Sequence, residues 1–259
     1  MTKRVVVTGG TRGIGRGLAK ELLARGCRVA VCGRDAASVD AVVQDLGVVG
    51  VVADVTDEAG MQKLWDAAAE AFGGVDVWVN NAGIGAPRRP FAELDLAAAR
   101  EVVDVNLLGT VTGSSVALRG FLAQGHGQLW NTEGFGSGGQ KAPGMAVYGA
   151  SKRAVTYFTQ ALLKDTAGTP VQVGLLSPGI VLTDLLERDY DGQPEAFEKA
   201  KKVFNVLGDR VETVTPWLAE RLLATDRTGA HVQWLTRRKA FLRFATAFRR
   251  RDLFQEQHA

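Results

Sequence analysis

The chain has 259 residues, 46% of them hydrophobic and 23% charged, and a formal charge of +3. That length buries a full core in one α/β domain, and no run reaches the ~18 apolar residues that a membrane span needs. The small net charge, without a stripe of Arg and Lys interleaved with aromatics, argues against nucleic acid as a partner. Cys27 and Cys32 fit neither a C-x-x-C pair nor a zinc spacing, and His126, His231 and His258 lie apart, so no metal site is expected. Only Val5 to Val7 separate the basic start from Thr8 and Gly9, too few for the apolar region of a signal peptide, and a cytoplasmic protein is expected.

Arg4 to Thr8 is a short β-branched run. Gly9-Gly10-Thr11-Arg12-Gly13-Ile14-Gly15 leads from it into the helical spacing Leu18, Leu22, Leu23. The pattern predicts strand, glycine loop and helix. Such a loop lets backbone N–H groups approach a pyrophosphate at the positive end of a helix, where side chains would block it. A dinucleotide is the expected ligand. A second strand, Arg28 to Cys32, ends at Gly33-Arg34, where an NAD site often carries an acid for the ribose 2′-hydroxyl. A guanidinium there pairs with the 2′-phosphate of NADP, Arg12 adds a second cation, and NADP(H) is favoured over NAD(H). The alternative for Arg34 is a surface turn before the helix near Ala36 to Leu46.

Val48 to Ala53 reads as the third strand. Asp54, followed by Val55, either accepts from an adenine amino group or opens the turn into the next helix. Met61, Leu64, Trp65, Ala68 and Phe72 repeat at helical spacing and belong to the core. Val75 to Val79 is the fourth strand and runs into Asn80-Asn81-Ala82-Gly83. Strands alternating with helices predict a doubly wound parallel sheet with helices on both faces and its ligand at the carboxyl ends of the strands. Leu94 to Leu108 reads as a helix with Asn106 near its middle, a polar residue that needs partners. Tyr148 and Lys152 stand four apart, on one helix face. A cation beside a phenol favours the phenolate and lowers its pKa, which suits acid–base work.

Val171 to Leu176 is a sixth strand. Leu185 to Gly208 lines up best as short helices at the position of a substrate lid, with an apolar content that fits a bulky substrate or simply covers the core. Thr215-Pro216 reads as a cap with Pro in the first turn, and Val232 to Leu235 as a closing strand. A domain over residues 1–236 is therefore expected, with a lid at about 185–210. Residues 237–259 form a basic amphipathic extension in which Arg237, Arg238, Lys239, Arg243, Arg249, Arg250 and Arg251 alternate with Phe241, Leu242, Phe244, Phe248, Leu253 and Phe254. Such a tail either lies on a membrane surface or packs on the protein with its Arg groups reaching water.

Six motifs together, T-G-G-T-R-G-I-G at 8–15, D-V at 54–55, N-N-A-G at 80–83, Asn106, Y-G-A-S-K at 148–152 and S-P-G-I at 177–180, resemble the classical short-chain dehydrogenase/reductase family in order and spacing. The resemblance implies a Rossmann-type sheet and hydride exchange between a nicotinamide and a carbonyl or alcohol carbon. It implies Tyr148 as general acid, Lys152 as holder of the nicotinamide ribose and depressor of the Tyr pKa, and Asn106 as keeper of a proton-relay water. Asn81, Ala82 and Gly83 would border the cofactor, with Pro178, Gly179, Ile180 and Thr183 around the nicotinamide. Pairing of the Tyr148 helix across a two-fold axis is implied too, hence a homodimer or homotetramer.

One family residue is missing. The usual Asn-x-Ser-Ser reads Asn131-Thr132-Glu133-Gly134, so the catalytic Ser position holds Gly134, or Phe135 when counted back from Tyr148. Ser137, in a glycine-rich loop, and a protonated Glu133 are the candidate replacements. This departure, with L-S-P-G-I-V-L-T-D-L-L and W-L-T-R-R-K-A-F-L-R-F, resembles the chlorophyll b reductase branch, which implies NADPH-dependent reduction of a formyl group on a large tetrapyrrole. The expected function is reduction of a small-molecule aldehyde or ketone; the alternative is an NADP(H)-binding sensor or scaffold without turnover.

Overall fold

The computed structural model describes residues 2–247 and 252–254. Val-rich runs form the strands and Gly-terminated amphipathic runs the helices. In order they are β1 (Arg4–Thr8), α1 (Gly13–Ala24), β2 (Arg28–Gly33), α2 (Ala36–Leu46), β3 (Val49–Val52), α3 (Glu58–Phe72) and β4 (Val77–Asn80). After a short 3₁₀ turn come α4 (Leu96–Val103), a π-helical turn (Asp104–Leu108), α5 (Gly109–Gln124), β5 (Gly127–Thr132), α6 (Ala146–Asp165) and β6 (Val171–Ser177). The last third holds β7 (Val181–Leu182), α7 (Asp184–Arg188), α8 (Pro194–Leu207), β8 (Asp209–Arg210), α9 (Val211–Ala224), β9 (Ala230–Gln233) and α10 (Arg237–Ala245).

Seven strands make one sheet, β3-β2-β1-β4-β5-β6-β9, with every pair parallel; β7 and β8 form a separate two-stranded ribbon. Because parallel strands need crossovers, helices cover both faces, and the central strands are buried on both sides. Val5 and Val7 pack with Leu18, Leu22, Leu218 and Leu222 on one face, and Val6 with Leu64, Trp65, Trp78 and Phe121 on the other. The strand order reverses between β1 and β4, and a crevice opens there beyond their carboxyl ends.

Two expectations are corrected in detail. Asn106 lies in the π turn rather than mid-α-helix, and Pro216 lies inside α9, which starts five residues earlier at Val211. That helix starts early because β8 delivers the chain directly into it, and Thr215 Oγ donates back to the Val211 carbonyl at 2.9 Å. The segment over 185–208 folds as α7 and α8, whose Tyr190, Phe197 and Phe204 rings pack on one another and on Phe254. The basic extension forms α10 on α8. Arg243 pairs with the buried Asp209 at 2.8 Å and donates to the Leu207 carbonyl. Phe248, Arg249, Arg250, Arg251 and His258 lie outside the described residues.

Candidate functional site

At the switch in strand order, Gly9, Thr11, Arg12, Gly13, Ile14, Gly15, Arg34, Val55, Asn81, Ala82, Gly83 and Thr183 line one cleft, bringing together most of the residues expected around a dinucleotide. Its floor requires glycine. Gly9 and Gly13 have φ of 64° and 52°, and a β-carbon on Gly15 would collide with the Gly9 carbonyl. Thr8 at the end of β1 accepts from the Asn81 and Ala82 N–H groups at 3.0 and 3.1 Å, while Asn81 Nδ2 donates to the Thr8 carbonyl at 3.0 Å. These bonds lock the loop after β4 onto the glycine loop. A glycine loop packed this closely at the start of α1 fits a pyrophosphate-bearing dinucleotide, whose negative charge the positive end of the helix favours.

Arg34 sits at the cleft rim in an exposed pair with Glu101 at 3.2 Å. Asp54 turns its carboxylate to Thr56 N and Oγ at 2.9 and 2.8 Å, the turn-forming alternative. Pro178 is buried, Gly179 has φ of 77°, and the Ile180 carbonyl accepts from Asp209 N at 3.0 Å, so these three brace the turn into β7 rather than lining the cleft. Ile84, Val105, Asp184 and Leu185 also line the cleft and were not anticipated, having only an apolar pattern or a lid position to mark them.

Deeper in, Asn106 is fully buried; its Oδ1 accepts from Ile84 N at 2.8 Å, and its Nδ2 donates to the Ile84 carbonyl and Ser151 Oγ. The π turn rotates Asn106 into this position, and such turns recur at functional sites. Lys152 Nζ donates to the Thr132 carbonyl at 3.2 Å. A β-carbon on Gly83 would lie 3.2 Å from Asn106 Oδ1 and 3.4 Å from Lys152 Nζ, so both groups flank that glycine. Tyr148, one helical turn before Lys152, ends at Gly134: a β-carbon there would sit 2.5 Å from the phenol oxygen. Gly134 thus lies against the phenol without bringing a side-chain hydroxyl to it.

The electrostatics differ from expectation. Burial and the charge of Asp189 push the Tyr148 pKa up, with Arg88 opposing, and Lys152 is not what sets it. Burial pushes Lys152 down to about 8, with Glu133 opposing. Ser137 is buried, its hydroxyl donating to the Lys152 carbonyl at 3.1 Å and accepting from Gly134 N at 3.2 Å, so it holds the loop rather than facing the phenol. Glu133 is not a protonated donor. Although burial alone would raise its pKa, His231 at 2.7 Å and Thr156 at 2.9 Å hold it ionised and low. Among the described residues no cluster of His, Cys, Asp and Glu could hold a metal, and no helix is long and apolar enough to cross a membrane.

The profile of the short chain dehydrogenase family matches residues 3–194. The probable chlorophyll(ide) b reductase NYC1, chloroplastic, of Arabidopsis thaliana is 32% identical over 96% of this chain and 54% of its own length. The chain thus spans about half the length of that relative. Chlorophyll(ide) b reductase NOL, chloroplastic, of Oryza sativa is 34% identical over 92% of the chain and 73% of its own length. Among solved structures, a short chain dehydrogenase from Burkholderia cenocepacia in complex with NADP superposes with a TM-score of 0.75 at 30% identity, over 89% of this chain and 96% of that one. The chain is a member of the short chain dehydrogenase family.

Proposed function

We propose that the protein uses NADPH to reduce the carbonyl of a bulky, largely apolar aldehyde or ketone, with Tyr148 as proton donor. The observation that carries this is the meeting of Lys152 and Asn106 at Gly83 beside a glycine-floored cleft, with the Tyr148 hydroxyl against Gly134. Bound in the cleft, the dinucleotide would supply a hydride to the carbonyl carbon. A phenol whose pKa is raised stays protonated at neutral pH, the state a donor needs, and the alkoxide developing on the substrate is basic enough to take that proton. Lys152 would hold the ribose hydroxyls, and Asn106 would fix the loop at Ile84 and the position of a relay water. Arg12 and Arg34 would bind the 2′-phosphate; the Arg34–Glu101 pair is exposed on both sides and weak, so a phosphate competes well for the guanidinium.

The relatives named as chlorophyll(ide) b reductases point to a large tetrapyrrole aldehyde as one substrate class. Exposed Leu108, Leu122 and Tyr157, on and beside the helices α5 and α6, supply the surface for a homodimer or homotetramer. NADPH oxidation across a panel of bulky carbonyls, a formyl tetrapyrrole included, tests the activity. Tyr148→Phe is expected to lower kcat by about 100-fold or more, and Arg34→Ala to weaken NADPH far more than NADH. Gly134, lacking a hydroxyl, favours a second reading, a dinucleotide-binding protein without turnover. Tight NADPH binding with no oxidation by any carbonyl would select it.

A further inference from the structure

The position beside the Tyr148 hydroxyl holds Gly134, which brings no side-chain donor, and a carboxyl whose charge reaches that phenol comes from the segment after α7. Asp189 follows α7 directly. It is 7% exposed, and its carbonyl accepts from Arg88 N at 2.9 Å. Its carboxyl is seated on Gly85, in the loop after β4, so closely that a β-carbon there would collide with Oδ1. Among the described residues no group hydrogen-bonds that carboxyl, although its charge reaches Tyr148. At so low an exposure the carboxylate anion is costly and the neutral acid is favoured.

We propose that Asp189, as the carboxylic acid, donates to the substrate's carbonyl oxygen the hydrogen bond that a Ser hydroxyl would otherwise give; this rests on the reductase reading above. Burial raises its pKa to about 7, with Arg88 opposing, so the acid form is well populated at neutral pH and below. The charged and titratable groups facing it are Arg88 from the loop after β4, Tyr148 from α6 and its neighbour Tyr190, whose ring carries the Arg88 guanidinium at 4.6 Å. A carboxyl kept neutral by an apolar site is an effective oxyanion donor. Seated on the lid, it also ties the donor's arrival to lid closure.

The test is kcat/KM against pH for NADPH-dependent reduction of 2-naphthaldehyde by the wild type, Asp189→Asn, Asp189→Ala and Tyr148→Phe, with NADPH affinity read by its fluorescence. Wild-type activity should fall as pH rises through about 7, where the carboxyl loses its proton. Asp189→Asn, whose amide N–H₂ donates at every pH, should keep most of the activity and lose that inflexion. Asp189→Ala should lose about 100-fold in kcat, the scale of one oxyanion donor, with NADPH affinity unchanged. Wild-type kcat in Asp189→Ala, or a surviving inflexion in Asp189→Asn, while Tyr148→Phe is inactive, overturns the proposal alone. A wild type that oxidises no NADPH, or a Tyr148→Phe variant as active as wild type, overturns the reductase reading and this proposal with it.

Discussion

Lys152 shows how a functional side chain stands against the fold that carries it. It is 4% exposed and its pKa is pushed down to about 8. In the unfolded chain the ammonium titrates near 10.5, so between pH 8 and 10.5 the unfolded state binds more protons and stability rises with pH. Below pH 8 the penalty is complete, on the order of 3 kcal/mol. Lys152→Met should therefore raise Tm at pH 7 by a few degrees, lose that advantage near pH 10.5, and lower turnover by at least about 100-fold. Calorimetry at both pH values checks it, and a Tm at pH 7 no higher than wild type contradicts it. The glycine loop and the Tyr148–Lys152 pair stood out in the sequence because each is a local spacing, whereas the role of Asn106 was marked only by the family resemblance. Asp189 and the Glu133–His231 pair were not legible there: His231 lies 98 positions from Glu133, and Asp189 is shifted by tertiary burial, with Arg88 opposing from 101 positions away. Chain order does not reveal which carboxyl a tertiary contact will neutralise and which it will ionise.

At the scale of elements, periodicity predicted the strands and helices that line the cleft but not their irregularities. The π turn at Asn106 follows from side-chain bonds to Ile84, 22 residues away, and Pro216 sits within α9 because β8 starts that helix early. The tail resisted reading for a related cause: an amphipathic basic stretch is the same in sequence whether it covers lipid or protein. In the fold it covers protein, through Arg243 on Asp209, Leu253 N on Asn205 Oδ1 at 2.9 Å, Arg210 on the Leu253 carbonyl at 3.0 Å, and Phe254 against Phe197. Asp209 is also held by Trp234 Nε1 at 2.6 Å. Replacing Arg243 by Ala should cost about 3 kcal/mol, the usual result of breaking one side of a buried pair. The loss should fall on α8, the element we propose as a substrate lid: faster trypsin cleavage within α8 and a raised KM for the carbonyl, with NADPH affinity within about twofold of wild type. Unaltered cleavage within α8 would show that α10 does not brace the lid.

At the scale of the whole molecule, one outer face of α10 is left open by the described residues. Arg237, Phe241 and Phe244 stand at i, i+4 and i+7, with Phe241 72% and Phe244 56% exposed and Arg238 beside them. Apolar rings flanked by cations on one helix face suit an anionic membrane surface, and we propose peripheral contact there. The full protein should float with anionic vesicles and not with zwitterionic ones, and Phe241→Ser/Phe244→Ser should stay at the bottom of the gradient. No flotation of the full protein removes the membrane contact, and equal flotation of both proteins removes this face of α10 as its site. The aromatic seal between lid and tail has a consequence for biosynthesis. A nascent polypeptide that has left the ribosome as far as β9 can already assemble all seven sheet strands, yet Phe197 and Phe204 stay uncapped until Phe254 follows. The catalytic floor is laid before its roof is fastened, so translation that stalls between the two yields a folded coenzyme half with a greasy, aggregation-prone opening.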